Sequence, residues 1–479
     1  MNRGSLLHNG VHMVVGRIVL SAARMAAALA VARLAGVESF GAYALLLSYI
    51  GLFEWLVDFG QTDIVVRDVA HAPGRRAAML GALAAAKRIQ GVAGGMALPL
   101  LLLVTRQGAE MVLAGCAGGI AVLATAWLQP ARAALRLSMR MDRDVMAELA
   151  GVAVMLPLLA GAALMRAPLP VLVATYSVAR LLQAGLTCHW ASPRPGGRPH
   201  RGAAWQLVRN ALPLGLAGLL VVLYDALAPI LLARLVDLRA VAVYAAAARF
   251  IFPVLVAVQA INAAFFPVIA QGWRAGPLAM ARHQQGALVL SVAVAGLLFA
   301  GIHGGADFLM GLMGPDFLPG AALLRLMAWV LLARAVSTCM APLIVIAGRQ
   351  GRAMLLTLCS LGAQVAALFL LVPRLGVIGA GVGYLLVELL LGSIAVSWVA
   401  QQVSGVALDW RPVALLLAIA AGSALSIDAT PLAGSLAGGL AAGSLALGAM
   451  LLLILCARGR AASLWQDLRQ HRTLGGEAA

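Results

Sequence analysis

The chain has 479 residues, of which 62% are hydrophobic and only 11% are charged, and its mean hydropathy is +0.95. A water-soluble fold cannot bury that much apolar surface, so the composition excludes a soluble protein and predicts one that lies in a lipid bilayer. A formal net charge of +17 is also typical of nucleic-acid binding, but the arginines are spread over many short loops with no soluble domain to carry a groove. The composition therefore argues against nucleic acid as a partner.

Apolar segments of about 20 residues, the length that crosses a bilayer, recur along the chain. They predict fourteen helices, at 11–34, 38–60, 79–104, 109–129, 146–165, 168–190, 207–232, 241–268, 286–303, 321–347, 354–373, 380–400, 413–427 and 437–456. No small-residue cleavage site follows the first apolar segment, which predicts an uncleaved first helix. The predicted fold class is an all-α polytopic membrane protein.

Arginine is distributed unequally between the loops on the two sides of these helices. One side carries most of it, with groups such as Arg67, Arg75 and Arg76. The other side carries only Arg33, Arg106, Arg166, Arg234, Arg239 and Arg374. Because cytoplasmic loops are enriched in Lys and Arg, we expect both termini to be cytoplasmic.

An arginine followed ten positions later by a tyrosine occurs at corresponding outer hairpins. The pairs are Arg33 and Tyr43, Arg166 and Tyr176, Arg234 and Tyr244, and Arg374 and Tyr384. The simplest interpretation is interfacial anchoring by the tyrosines. Similar sequence at helices 1/2 and 7/8 also predicts two pseudo-symmetric six-helix lobes. The expected domains are an N-terminal lobe (1–206), a C-terminal lobe (207–402), helices 13 and 14 (403–457) and a basic cytoplasmic tail (458–479).

Several basic residues fall inside the predicted spans, where a lipid-facing charge is costly. They are Arg17, Arg24, Lys87, Arg88, Arg180, Arg249, Arg325 and Arg334. Snorkelling to the membrane surface is the alternative for Arg325, which is close to an outer helix end, and for Lys87 and Arg88, which are near the inner third. We predict that the set other than Arg325 lines an aqueous cavity between the two lobes. Guanidinium groups match the paired oxygens of phosphate or diphosphate, so this cavity is expected to select anions.

Acidic residues inside the spans are fewer, namely Glu54, Asp58, Asp225 and Glu388. A carboxylate within the membrane is a usual site for proton or sodium coupling, and neutralising a neighbouring arginine is the alternative role. Near the C-terminus, Gly439 and Gly443 have the small-xxx-small spacing that lets helices approach closely. The two last helices therefore either pack tightly or leave an apolar groove for a lipid tail.

Signatures of catalysis and cofactor binding are missing from the sequence. The single lysine, Lys87, stands outside any phosphate-binding loop of the G-x-x-x-x-G-K-[ST] type. The five cysteines stand singly in apolar surroundings, and no nucleophile elbow occurs. We therefore expect a protein that is not an enzyme and that has neither a cofactor nor a metal site.

Short motifs in both halves resemble one family. In the first half they are Arg33-Leu34, Phe40-Gly41, Tyr43-Ala44, Asp58-Phe59-Gly60 and Arg67-Asp68. In the second half they are Gly314-Pro315-Asp316-Phe317 with Ala321 and Arg325, Ala347-Gly348-Arg349, and Pro373-Arg374-Leu375-Gly376 with Gly379-Ala380. In order and topology they resemble the polysaccharide (O-antigen type) flippases of the multidrug/oligosaccharidyl-lipid/polysaccharide exporter superfamily, which also contains the MATE transporters.

The resemblance implies a V-shaped, fourteen-helix carrier of MATE type in the bacterial inner membrane. It implies alternating access and an undecaprenyl-diphosphate-linked oligosaccharide as substrate, and the carboxylates within the spans add the expectation of coupling to H⁺ or Na⁺. Membrane lipids and a polysaccharide polymerase or ligase are the implied partners. Three alternatives stay open at this stage: a lipid II-type flippase, a multidrug exporter of the same superfamily, and a membrane-embedded polysaccharide polymerase or ligase. The arginine excess argues against the drug exporter, because cationic drugs favour an acidic cavity.

Overall fold

The computed structural model describes residues 3–191, 202–402 and 408–453. Within these ranges every regular element is helical. The first nine α-helices are α1 (Arg3–Leu34), α2 (Val37–Asp58), α3 (Gln61–His71), α4 (Arg76–Val104), α5 (Ala109–Leu137), α6 (Met141–Leu164), α7 (Leu169–Trp190), α8 (Ala203–Leu235) and α9 (Leu238–Ala275). The others are α10 (Pro277–Gly304), α11 (Ala306–Met313), α12 (Ala321–Thr338), α13 (Ala341–Ile346), α14 (Gln350–Leu375), α15 (Val377–Val387), α16 (Ser393–Gln402), α17 (Arg411–Asp428) and α18 (Leu436–Leu453).

Thirteen candidate membrane spans of sufficient length and apolar composition occur in the described residues, and they cover the predicted spans from the second to the fourteenth. The predicted first span forms as α1. The chain is therefore a multi-pass integral membrane protein.

The predicted polar break after residue 60 is partly helical, because it contains α3. Its charged residues lower the average hydropathy, but Ile64, Val65 and Val69 are buried and pack with Leu83 and Leu135. Hydropathy averaging misses an amphipathic helix of this kind. Farther on, the predicted outer break at 304–320 forms α11 and a 3₁₀ helix, Pro315–Gly320. The predicted helix at 380–400 is interrupted by a π-helical turn, Glu388–Gly392.

The helix α2 ends abruptly because the backbone turns left-handed at Phe59 (φ 45°) and Gly60 (φ 68°). This leaves the carbonyl groups of Val57 and Asp58 near the helix end in need of donors. The buried Lys87 supplies them, because its ammonium group donates to both carbonyl oxygens. The only lysine of the chain thus holds the junction between α2 and α3.

The described residues form two compact units. The first contains the described residues up to Arg249 together with Met310–Leu323 and Gln350–Leu391. At its centre lies α5, which packs against α2, α4 and α7. The most apolar window of α5 is 61% buried, against 22% for α4. The helices α4 and α5 meet at Gly95 and Gly119, where a Cβ atom on either residue would collide with the other's carbonyl oxygen.

The second unit contains 250–309, 324–349 and the described residues from 392 onward. In this unit α10 packs against α17. The Nε2 atom of His303 on α10 is hydrogen-bonded to the Asp428 carboxylate on α17 at 2.9 Å. Arg325 forms an ion pair with Asp307 at 2.7 Å. Gly439 on α18 lies against the end of α10, because a Cβ there would meet the Gly301 carbonyl oxygen at 2.8 Å.

Candidate functional site

A cavity of about 290 Å³ lies within the first unit. We call it the arginine cavity. Its polar lining residues are Arg24 on α1, Tyr43 on α2, Glu148 on α6, Tyr176, Arg180 and Gln183 on α7, and Arg249 on α9. Small residues such as Ala28, Gly51 and Gly151 make up much of the remaining wall and leave the space open.

Helical spacing explains why these side chains share one cavity. Tyr176, Arg180 and Gln183 are separated by four and three positions, which places them on one face of α7. Arg24 likewise shares a face of α1 with Ala27 and Ala28. These two faces, each combining an arginine with small or neutral residues, give the cavity cationic walls inside an apolar helix bundle.

Arg180 is held in a hydrogen-bonded group centred on Glu54. Its Nη2 donates to the Glu54 carboxylate at 3.0 Å, its Nε to the Tyr176 hydroxyl at 2.9 Å, and its Nη1 to Gln183 Oε1 at 2.9 Å. The hydroxyls of Tyr176 and Thr125 donate to the same carboxylate, at 3.2 and 2.8 Å. The side chains of Arg180 and Glu54 are 17% and 14% exposed, so both charges are largely withdrawn from solvent and satisfied by each other.

Arg24 forms a second ion pair, with Glu148 at 2.6 Å. This pair is more accessible, since the Arg24 side chain is 55% exposed. Arg249 differs from both, because in the part of the chain that the structure describes it has neither a hydrogen bond nor an ion pair. Counting Glu54, which is bonded to lining residues without lining the cavity itself, the site combines three guanidinium groups with two carboxylates. Its excess of one positive charge is smaller than the sequence alone indicated.

The other basic residues predicted for the cavity lie elsewhere. Lys87 is buried against the end of α2, where its ammonium group also donates to Gln90 at 3.2 Å. The neighbouring Arg88 is exposed on a different cavity. Arg334 is half-buried on α12 and belongs to the second unit. Arg17 belongs to α1 by its backbone, but its side chain lies outside the described residues.

Of the predicted acidic residues, only Glu54 takes part in this site. The Asp58 carboxylate accepts a hydrogen bond from Thr62 at 2.7 Å, next to the α2–α3 junction. Asp225 and Glu388 are half-buried on α8 and in the π-helical turn, and neither lines the cavity.

Four polar lining residues escaped the sequence reasoning. Glu148 lies inside the predicted span 146–165, so the rule that selects Glu54 also applies to it. Tyr43 and Tyr176, interpreted from sequence as interfacial anchors, line the cavity instead. Gln183 gives no sequence signal beyond its position one turn from Arg180.

A family model described as polysaccharide biosynthesis protein matches residues 7–273 of the chain. The search of curated protein sequences found no match to this chain. The matched residues include α1, α2, α6, α7 and the part of α9 that carries Arg249, so the match covers the whole arginine cavity.

Solved transporters share the fold. A lipid II flippase, MurJ, in an inward closed conformation is 8% identical, with a TM-score of 0.75 over 92% of this chain and 97% of that one. An inward-facing multidrug resistance MATE family transporter of the MOP superfamily is 15% identical, with a TM-score of 0.70 over 82% and 98%. A MOP superfamily transporter from Pyrococcus furiosus is 16% identical, with a TM-score of 0.61 over 84% and 96%. These similarities confirm the predicted all-α, MATE-type membrane fold.

Proposed function

The chain belongs to the polysaccharide biosynthesis protein family, and from this premise we propose that it translocates a lipid-linked oligosaccharide across the membrane. The proposed substrate carries its sugar on undecaprenyl diphosphate, and the proposed mechanism is alternating access. The proposed setting is the bacterial inner membrane, with both termini in the cytoplasm. Family membership and fold support a flippase or transporter rather than an enzyme.

The observation that carries the proposal is Arg249 on the wall of a cavity inside the spans, a cation for which the described residues provide neither a hydrogen bond nor an ion pair. An uncompensated guanidinium group within a membrane protein costs several kcal/mol unless it faces water or an anion. Guanidinium forks bind phosphate oxygens in bidentate fashion, which makes a diphosphate a suitable anion. We therefore assign Arg249 as the first contact of the substrate's diphosphate.

Arg24 and Arg180 supply the further positive charge by exchanging partners. In the arrangement described, Glu148 and Glu54 occupy these arginines, and the oxygens of an entering diphosphate would compete for the same N–H groups. A carboxylate displaced in this way must be neutralised, because an isolated buried charge is costly. Glu54 is therefore the proposed site of coupling to H⁺ or Na⁺, while Asp58, Asp225 and Glu388 stay as sequence predictions for that role.

The test separates substrate binding from structural ion pairing. In a strain lacking the chromosomal gene, Arg249→Ala should leave the protein abundant, abolish the surface polysaccharide and cause lipid-linked sugar to accumulate on the cytoplasmic leaflet. Arg374→Ala is the matched control, since Arg374 is exposed at the end of α14, and it should export normally. Full export by Arg249→Ala would refute the assignment.

A charge exchange, Glu54→Arg with Arg180→Glu, sharpens the test. The exchange preserves an ion pair, so it should restore abundance if either single variant loses it. It should not restore export, because the guanidinium group now projects from α2 instead of α7. Export at the wild-type level by the double variant would show that the pair has only a structural role.

A lipid II-type flippase is the second candidate, supported by the fold shared with MurJ over 92% of this chain. Diphosphate recognition would be the same in both cases. The identity of the accumulating lipid decides between them: a polysaccharide repeat unit supports the first function, and a cell-wall precursor supports the second.

A further inference from the structure

A second cavity, of about 240 Å³, opens on the flank of the first unit between α4, α5 and α7. We call it the flank cavity. It is lined by Ala84, Lys87, Arg88, Ala126, Trp127, Pro130, Ala131 and Cys188. Neither the family match nor the proposed transport reaction gives this cavity a role.

The charge of the flank cavity comes from Arg88. No ion pair or hydrogen bond involves this guanidinium group in the described ranges. The ammonium group of Lys87 is directed away, toward the carbonyl oxygens at the end of α2. Because none of the lining residues is acidic, the cavity presents an exposed, uncompensated cation beside an apolar wall.

The depth of the cavity in the membrane follows from the exposed apolar residues beyond it. On α4 the residues Ile89, Met96 and Leu103 are all more than half exposed, and they continue the same flank away from Arg88. The stretch from Arg88 to the end of α4 is about 25 Å long at 1.5 Å per residue. This approaches the roughly 30 Å of a bilayer's hydrocarbon core, so Arg88 lies at the boundary between hydrocarbon and headgroups.

Trp127 indicates the same depth on α5. Its side chain is 49% exposed, and the turn that follows it, from Gln129 through Arg132, ends the apolar stretch of that helix with a glutamine and an arginine. Tryptophan is enriched at the headgroup level because its ring is apolar and its N–H is a donor. Arg88 and Trp127 therefore frame the cavity at the level of lipid phosphates, on the arginine-rich side of the protein.

We propose that the flank cavity binds the phosphate headgroup of an anionic glycerophospholipid. Arg88 pairs with the phosphate, Trp127 packs against the glycerol region, and the acyl chains run along the exposed apolar face of α4. Basic pockets between membrane helices on the cytoplasmic side are suited to anionic headgroups. A zwitterionic lipid offers the same phosphate but brings a compensating ammonium group, so the cavity should prefer a net negative headgroup.

The test uses the purified full-length protein and phosphatidylglycerol, with phosphatidylcholine as the neutral reference. Native mass spectrometry should show phosphatidylglycerol retained in preference, and Arg88→Gln should weaken its binding about fivefold, the contribution expected of one interfacial arginine. The matched control is Arg75→Gln, which removes another exposed arginine on the arginine-rich side and should bind as the wild type does.

Cys188 gives an independent readout, because it is exposed on the wall of the flank cavity. Phosphatidylglycerol should slow alkylation of Cys188 but not of Cys116 or Cys359, which are exposed elsewhere. Equal retention of the two lipids, or an Arg88→Gln variant that binds normally, would overturn the proposal. Protection of Cys188 by inorganic phosphate as effective as that by the lipid would also overturn it, since the site would then bind a free anion.

Discussion

At the scale of single residues, Glu54 determines how Arg180 is presented to the cavity. One carboxylate accepts hydrogen bonds from Arg180, Tyr176 and Thr125, which belong to two other helices. The donors hold the carboxylate rigidly, and the carboxylate in turn fixes the guanidinium fork. Such a network restrains the arginine, and under the proposed function it would also compete with the anionic substrate for the same N–H groups.

Replacing Glu54 with glutamine tests this competition. The amide oxygen of Glu54→Gln still accepts a hydrogen bond from Arg180, but the negative charge is gone. Under the proposed function, the variant should bind a lipid diphosphate about tenfold more tightly, equivalent to about 1.4 kcal/mol, and transport it more slowly because release is impaired. Binding is measured with purified protein, and transport is measured in proteoliposomes.

The control for Glu54→Gln is Thr125→Val, which removes a hydrogen bond from a neutral donor to the same carboxylate and leaves every charge in place. It should change the affinity by less than a factor of about two. Weaker binding by Glu54→Gln would contradict the competition and would mean that the carboxylate serves to position Arg180.

Position within a predicted span selects Arg24, Arg180 and Arg249, and these three share the arginine cavity. The same rule also selects Lys87 and Arg88 on α4, and neither of them lines the arginine cavity. Sequence gives the depth of a charge, but the direction of its side chain depends on the rotation of each helix in the bundle. Partners such as Glu148, distant by 124 positions from Arg24, depend on tertiary contact and leave no local pattern.

At the scale of helices, hydropathy does not predict every helix boundary correctly. The α2–α3 junction depends on the left-handed Phe59 and Gly60 and on a lysine that follows in the next helix. The amphipathic helix α3 is stabilised by packing with Leu83 and Leu135, which a hydropathy average cannot detect. The long apolar helices were predictable because the bilayer imposes both their length and their composition.

The packing of α18 on α10 provides a prediction with an internal control. A side chain at Gly439 would collide with the Gly301 carbonyl oxygen and with the Gly305 Cα atom at 3.0 Å, whereas one at Gly443 meets its nearest neighbour at 4.0 Å. Gly439→Val should therefore lower the free energy of unfolding by about 1–3 kcal/mol, as overpacking does. Thermal unfolding in detergent measures this loss.

Gly443→Val lies one turn farther along the same helix and adds the same β-branched side chain. Both variants change the intrinsic helix propensity by the same small amount, in favour of the helix, so only the contact with α10 distinguishes them. Gly443→Val should unfold close to the wild type. Equal destabilisation by the two variants would mean that the close approach to α10 does not explain the glycine at 439.

At the scale of the whole molecule, the fold is shared with proteins whose sequences are very different from this one. The match to MurJ extends over 92% of this chain at 8% identity, so almost every side chain differs while the helix order persists. Apolar length, short connections and small residues at close contacts are enough to specify such a bundle. The substrate is not specified in this way, because under the proposed function it depends on a few charged side chains in one cavity.

The orientation in the membrane rests on the arginine asymmetry between loops, and a single helix can test it. Arg75 lies just before α4, and Ala109 begins α5 just after it, so one membrane crossing separates these two exposed positions. In a background whose five cysteines are replaced by alanine, a membrane-impermeant maleimide should label Ala109→Cys in intact cells. It should label Arg75→Cys only after lysis, since arginine-rich loops are retained in the cytoplasm. Labelling of Arg75→Cys in intact cells, with Ala109→Cys protected, would reverse the assigned orientation and place the flank cavity in the opposite leaflet.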